Sequence, residues 1–151
     1  MDQNPSIECK NLDDTIRFAQ ACADNATNGD IFTLQGPLGA GKTKFSRAFI
    51  RHLAGNNDLE VPSPTFTLVQ TYETDKAPIW HFDLYRLEDA QEIYELGWEE
   101  ALSDSILLIE WPERLGALMP PVRKEIIITP TDDESRKIEL IHHKQRLKTN
   151  V

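Results

Sequence analysis

Gly36-Pro37-Leu38-Gly39-Ala40-Gly41-Lys42-Thr43 lies between the apolar run Ile31-Phe32-Thr33-Leu34 and an amphipathic stretch, Lys42 to Leu53, that carries Phe45, Ala48, Phe49 and Leu53 on one face. The octapeptide fits G-x-x-x-x-G-K-[ST] in the setting that pattern requires, with a strand entering it and a helix leaving it. Glycines let a backbone curl until successive N–H groups point inward, and the first helical turn adds partial positive charge at the same place. Such a concavity takes a phosphate. Lys42 is placed to reach β- and γ-phosphates, and the Thr43 hydroxyl to ligate Mg²⁺. An ordinary glycine-rich turn ahead of a helix would not explain why lysine and threonine both fall in register on the right element.

Before the loop, Thr15 to Ala26 reads as a helix with Ile16, Ala19, Gln20 and Ala23 at helical spacing, preceded by the capping run Asn11 to Asp14. Asn28-Gly29-Asp30 is a turn. Val61 to Thr65, with Pro62 and Pro64, cannot be helix. Thr65 to Tyr72 and Pro78 to Tyr85 are expected to be hairpin strands joined by Glu73 to Lys76. Glu88 to Leu96 reads as a helix ended by Gly97, and Ser105 to Glu110 as a buried strand. Glu125 to Thr129 and Lys137 to Ile141 should form a final antiparallel pair, with a basic tail fraying from His142. The expected fold is α/β: one phosphate-loop NTPase domain over residues 1–151. Its sheet should be mixed, parallel near the phosphate loop with antiparallel additions, and flanked by helices.

A phosphate loop needs a carboxylate for its metal, usually at the end of a neighbouring buried strand. Glu110 ends the apolar run Ile106 to Ile109. Asp83 lies in Trp80-His81-Phe82-Asp83-Leu84-Tyr85, where alternation sets Trp80, Phe82 and Leu84 on one face and His81, Asp83 and Tyr85 on the other. The first face reads as core and the second as the wall of a site. His81 taken alone is a strand histidine satisfied by its surroundings; with Asp83 two residues on, its face becomes notable. Ser63-Pro64-Thr65-Phe66-Thr67 follows the phosphate-loop helix, where a γ-phosphate-sensing segment is common, although a rigid strand entry explains the composition equally well.

Composition narrows the function classes. The 151 residues include 25 acidic and 16 basic side chains, a net charge of -9. That speaks against a stand-alone nucleic-acid binder and against a polybasic membrane anchor. The two cysteines, Cys9 and Cys22, have no metal-ligand spacing and read as idle thiols of a reducing compartment. No signal-peptide pattern and no long apolar span is present in the sequence, so a cytoplasmic protein is expected.

Four segments together resemble the TsaE family of bacterial ATPases, also known as YjeE: LQGPLGAGKT at Leu34–Thr43, SPTFTLV at Ser63–Val69, HFDLYRL at His81–Leu87 and IEWPE at Ile109–Glu113. The resemblance covers Thr15 to about Ile141. It implies a Mg²⁺-dependent ATPase required for N6-threonylcarbamoyladenosine modification of tRNA, acting on a complex of TsaD and TsaB; the acidic balance adds that tRNA is touched at most indirectly, and the lack of a positioned arginine that the ATPase is slow on its own. It further implies that Gly39, Ala40, Gly41, Lys42, Thr43 and Lys44 hold the phosphates of ATP or ADP, and that Thr43 and Glu110 hold Mg²⁺. Lys42, Asp83 and Glu110 would then be the catalytic residues, with Asp83 near the γ-phosphate or its water and Ser63 to Thr67 a switch-like strand. Adenine would lie near Leu12 to Thr15 and Asp133 to Arg136. Three residues depart from the family's pattern: Pro37 where an acid is usual, Phe66 where tyrosine is common, and Lys44 in place of a second threonine.

Two other classes fit the same loop: a small-molecule kinase and a nucleotide-gated binding module with negligible turnover. A kinase lid usually carries several arginines, and Glu88 to Asp104 carries none. That interval instead holds Glu88, Asp89, Glu92, Glu95, Glu99 and Glu100, either a solvated face or a surface for a basic protein partner. Arg86 is the one arginine with an evident route to a transferred phosphate.

Overall fold

The computed structural model describes residues 6–132 and 134–144. Seven strands form one sheet: β1 (Ser6–Cys9), β2 (Ile31–Gln35), β3 (Val69–Tyr72), β4 (Ile79–Asp83), β5 (Ile106–Glu110), β6 (Arg123–Pro130) and β7 (Arg136–His143), in the order β1-β7-β6-β2-β5-β4-β3. The middle four, β6-β2-β5-β4, are parallel. The antiparallel pairs β1–β7, β6–β7 and β3–β4 extend the sheet at both edges. The expected mixed sheet is therefore present, with β2 at its centre. Helices α1 (Leu12–Asn25) and α2 (Lys42–Ala54) cover one face. Helix α3 (Trp98–Ser103) and two 3-10 segments, Ala90–Leu96 and Pro112–Leu118, cover the other.

Strand alternation decides what reaches each face. On β5, Ile106 and Leu108 pack under α1 and α2 with Phe32, Phe45 and Phe49, while Leu107 and Ile109 turn to Phe82, Trp98 and Leu115. Glu110, next in the alternation after Leu108, therefore falls on the α2 side. On β4 the same rule puts Ile79, His81 and Asp83 on that side and Trp80 and Phe82 on the other. Asp83 and Glu110 are register partners, so two carboxylates emerge side by side at the C-terminal ends of adjacent parallel strands. That edge is where open α/β sheets bind ligands.

The structure departs from the sequence reading in several places. Thr65 to Leu68 is not strand; Leu68 has φ 70° and its N–H bonds back to the Pro64 carbonyl, so the hairpin starts only at Val69. The expected helix at Glu88 is a 3-10 segment capped by the Asp89 side chain. Gly97 ends it and opens α3, which the sequence reading omitted. At φ +89°, with a Cβ that would sit 2.8 Å from the Trp80 ring, this position requires glycine. β1 was not foreseen; it is mostly exposed, so no apolar alternation marks it. His142 and His143 pair with Lys124 and Arg123 in β7, beyond the point where fraying was expected to begin. Arg146 and Lys148 of the basic tail lie outside the described residues. Cys9 and Cys22 are free and buried, and burial raises both thiols, Cys22 to about 12. No described helix is long and apolar enough to cross a membrane.

Candidate functional site: a phosphate-loop cleft

The turn between β2 and α2 depends on its glycines. Gly39 and Gly41 have φ +81° and +108°, which only glycine adopts without strain. Gly36 lies so close to β6 that a Cβ would stand 2.6 Å from the Ile128 carbonyl oxygen. Gly41 is the N-cap of helix α2, so no side chain caps its N–H groups, and its first turn holds no acid. Lys42 and Lys44 occupy that turn instead, adding cations to the positive end of the helix. Without a bound anion this arrangement is electrostatically unfavourable.

Lys42 is buried. Its Nζ donates to the Gly36 carbonyl at 2.6 Å and lies 3.3 Å from the centre of the Trp111 ring. Burial pushes its ammonium below the ordinary lysine range, opposed by the charges of Glu110, Glu113 and Asp83. Trp111 holds this position with a left-handed backbone, φ 60°, and packs against Tyr85 at 4.9 Å.

The acids found in the sequence converge on the loop. The Thr43 hydroxyl donates to Glu110 Oε1 at 3.0 Å, and His81 Nε2 lies 2.7 Å from Glu110 Oε2. Asp83 Oδ2 accepts from the hydroxyls of Thr65 at 3.2 Å and Ser63 at 3.5 Å, and Oδ1 from the Tyr85 backbone N–H. Asp83 and Glu110 are both nearly inaccessible to solvent. Gly39, Gly41, Lys42, Thr43 and Lys44 line one cleft with Ser63, Thr65, Asp83 and Glu110; Ala40 lies in the loop itself, its N–H bonded to the Pro37 carbonyl at 3.0 Å. An oxygen pair at 3.0 Å, one a hydroxyl and one a carboxylate, is a donor set that suits Mg²⁺, a hard cation that uses few protein oxygens and keeps waters.

Two expectations meet different outcomes. Leu12 and Thr15 do face Glu134 and Arg136 across a recess beside Ala40, Gly41 and Lys44, so the stretches assigned to adenine are neighbours; Asp133 lies outside the described residues. Arg86 does not point into the cleft. Its guanidinium stacks 4.7 Å over the ring of Phe66, a side chain that is itself 81% exposed.

Arg136 was missed as a residue of the phosphate loop. From the start of β7 its Nε donates to the Ala40 carbonyl at 2.7 Å and its Nη2 to the Gly39 carbonyl at 3.3 Å, while Nη1 bonds Ser135 and Asp132. One guanidinium thus fixes two successive loop carbonyls, and the Ala40 N–H between them is held by the Pro37 carbonyl, so the turn is braced from both sides. No sequence spacing signals this contact, which crosses 96 residues. Trp111 belonged to a recognised motif but had no role assigned.

Fold and cleft together define a mixed α/β domain with a glycine-rich loop at the C-terminal edge of a parallel core. The sequence pattern of the family described as "Threonylcarbamoyl adenosine biosynthesis protein TsaE" matches residues 9–138. A Rickettsia felis protein named tRNA threonylcarbamoyladenosine biosynthesis protein TsaE is 44% identical over 131 residues, covering 87% of this chain and 76% of the relative. Relatives of the same name from Aquifex aeolicus and Bacillus subtilis are 41% and 36% identical, covering 85% of this chain in each case and 89% and 79% of the relatives. The crystal structure of Bacillus YdiB superposes with a TM-score of 0.76 at 28% identity, covering 95% of this chain and 88% of that one. The chain belongs to the TsaE family, whose members take part in threonylcarbamoyladenosine biosynthesis.

Proposed function

We propose that this chain binds Mg²⁺-ATP in the cleft and hydrolyses it slowly, and that hydrolysis drives turnover of a TsaD–TsaB-like complex during tRNA threonylcarbamoyladenosine formation in the cytoplasm. The observation that carries the reading is the Thr43–Glu110 contact at 3.0 Å, set beside Lys42 at an uncapped helix N-terminus. Gly39 to Lys44 hold the phosphates through backbone N–H groups and the two ammonium groups. Thr43 and Glu110 would hold Mg²⁺, which neutralises charge developing on the phosphates. To serve as a ligand, the Thr43 hydroxyl would have to give up its present bond to Glu110 Oε1. Lys42 exchanges the Gly36 carbonyl and the Trp111 ring for the phosphates. Asp83, held by Ser63, Thr65 and the Tyr85 N–H, orients the attacking water by accepting its hydrogen.

The slow intrinsic rate follows from the arginines. Arg86 is engaged by Phe66 and Arg136 by the loop carbonyls, so neither is free to meet the transferred phosphate. A positioned arginine supplied by a partner is worth roughly 10³–10⁵ in rate. The partner side is read from charge: Glu88, Asp89, Glu92, Glu95, Glu99 and Glu100 are all exposed. Such a surface suits a basic protein patch, with salt-sensitive association, and disfavours direct contact with tRNA there. The test is release of labelled inorganic phosphate from ATP by the chain alone, then with a TsaD–TsaB complex at low and high salt. Weak turnover, stimulation by the complex and loss of stimulation in salt are expected. Label transferred to a small molecule would establish the kinase instead, and brisk turnover unaffected by the complex would remove the partner-dependent mechanism.

A further inference from the structure

We infer that His81 fixes the Glu110 carboxylate toward Thr43 and is thereby a positioning residue for the metal; the inference rests on the Mg²⁺-ATP reading above. The imidazole is fully buried on β4, and its Nε2 lies 2.7 Å from Glu110 Oε2. Its register partner on β5 is Leu108, so the ring stands one step deeper in the core than Glu110, on the same face of the sheet. A carboxylate oxygen accepts, so Nε2 is the nitrogen that carries the hydrogen.

The other ring nitrogen, Nδ1, is buried with no hydrogen-bond partner among the described residues. Leaving a polar atom in that state costs about 1–3 kcal/mol. An apolar side chain would fill the position without that cost, so packing does not account for a histidine here; its single polar contact, with Glu110, does. The contact has a geometric consequence. Oε2 is tied down from the core side and Oε1 faces Thr43 at 3.0 Å, so Glu110 presents one oxygen to the cleft and cannot rotate to present both. Mg²⁺ demands near-ideal octahedral geometry, and a carboxylate locked in one orientation meets that demand without reorganisation. Partners that orient metal-ligating groups typically contribute 10–100-fold to metal affinity or activity.

The test compares the parent with His81→Leu, His81→Gln and Glu110→Gln. Mn²⁺ binding to each ADP complex is followed by electron paramagnetic resonance, and metal-free ADP affinity by calorimetry. His81→Leu should weaken Mn²⁺ by roughly 10–100-fold with metal-free ADP affinity unchanged, and His81→Gln, whose amide N–H reaches a similar place, should recover most of the loss. In case His81→Leu does not fold, the ¹⁵N resonances of the parent imidazole provide a second readout. They should report the Nε2–H form with an exchange-protected proton that shifts in Glu110→Gln. A folded His81→Leu with parental Mn²⁺ affinity, beside a weakened Glu110→Gln, overturns the role of His81 and leaves the nucleotide reading standing. If Glu110→Gln is also without effect, the metal reading falls and the inference with it. Equal loss of metal-free ADP affinity in both His81 variants, or an Nδ1–H imidazole, overturns it as well.

Discussion

Gly36→Ala tests whether the phosphate loop is shaped by its seat against β6. A methyl group added there would lie 2.6 Å from the Ile128 carbonyl oxygen and 3.0 Å from the Ala40 Cβ, against an ordinary contact that begins near 3.4 Å. One neighbour is backbone and the other a side chain with no rotamers, so relief requires the loop to lift from the strand by several tenths of an ångström. Overpacking of this kind costs about 1–3 kcal/mol. In a domain of this size each kcal/mol lowers Tm by roughly 2–4 °C, giving a fall of about 2–12 °C. The Gly36 carbonyl also accepts from Lys42 Nζ at 2.6 Å, so the same displacement moves the resting place of the lysine and should lower nucleotide affinity. Urea denaturation with calorimetric ADP titration reads both effects, with Val122→Ala, at a residue 50% exposed and away from the cleft, as a comparison expected within about 0.5 kcal/mol of the parent. Parental stability and parental affinity in Gly36→Ala would show that the seat against β6 does not shape the loop.

Arg136→Ala should loosen the loop, since it removes the donors to the Gly39 and Ala40 carbonyls; amide hydrogen exchange at Gly39 to Gly41 should accelerate and ADP affinity fall. Arg136→Lys should not restore either, because one ammonium lacks the planar fork that meets both carbonyls and the turn at Ser135. Nucleotide affinity should decline at alkaline pH. Burial lowers the free-state pKa of Lys42 and phosphate favours its charged form, so above that lowered pKa binding must take up a proton, and the loss approaches tenfold per pH unit. Affinity that stays flat up to the ordinary lysine range would contradict this. Cys9 and Cys22 should resist thiol reagents in the native protein and react only on unfolding, because burial raises both thiols.

The elements that build the site were legible because each carries a local signal. The glycine loop with Lys42 and Thr43 has its own spacing, Glu110 closes an apolar run, and Asp83 falls on the polar face of an alternating strand. What could not be read was long-range or conformational. Asp83 and Glu110 become neighbours only through the register of β4 and β5, and nothing local to β7 indicates that Arg136 reaches the loop. The Thr65–Leu68 segment looks extended by composition, yet Leu68 adopts a positive φ that no propensity for leucine predicts. Arg86 is at the position the sequence implies, but its stacking on exposed Phe66 depends on a turn that alternation does not describe. β1 was invisible because an edge strand paired to β7 and facing solvent has no apolar pattern to show.

The most direct measurement is calorimetric titration of ADP into the parent chain, Lys42→Ala, Thr43→Ala and Glu110→Gln, each with Mg²⁺ and with the metal chelated. The parent should bind ADP and gain affinity from Mg²⁺. Lys42→Ala should lose affinity under both conditions, while Thr43→Ala and Glu110→Gln should lose chiefly the Mg²⁺-dependent gain. Parental binding by Lys42→Ala, or an undiminished Mg²⁺ gain in both Thr43→Ala and Glu110→Gln, would contradict a nucleotide and metal site at this loop.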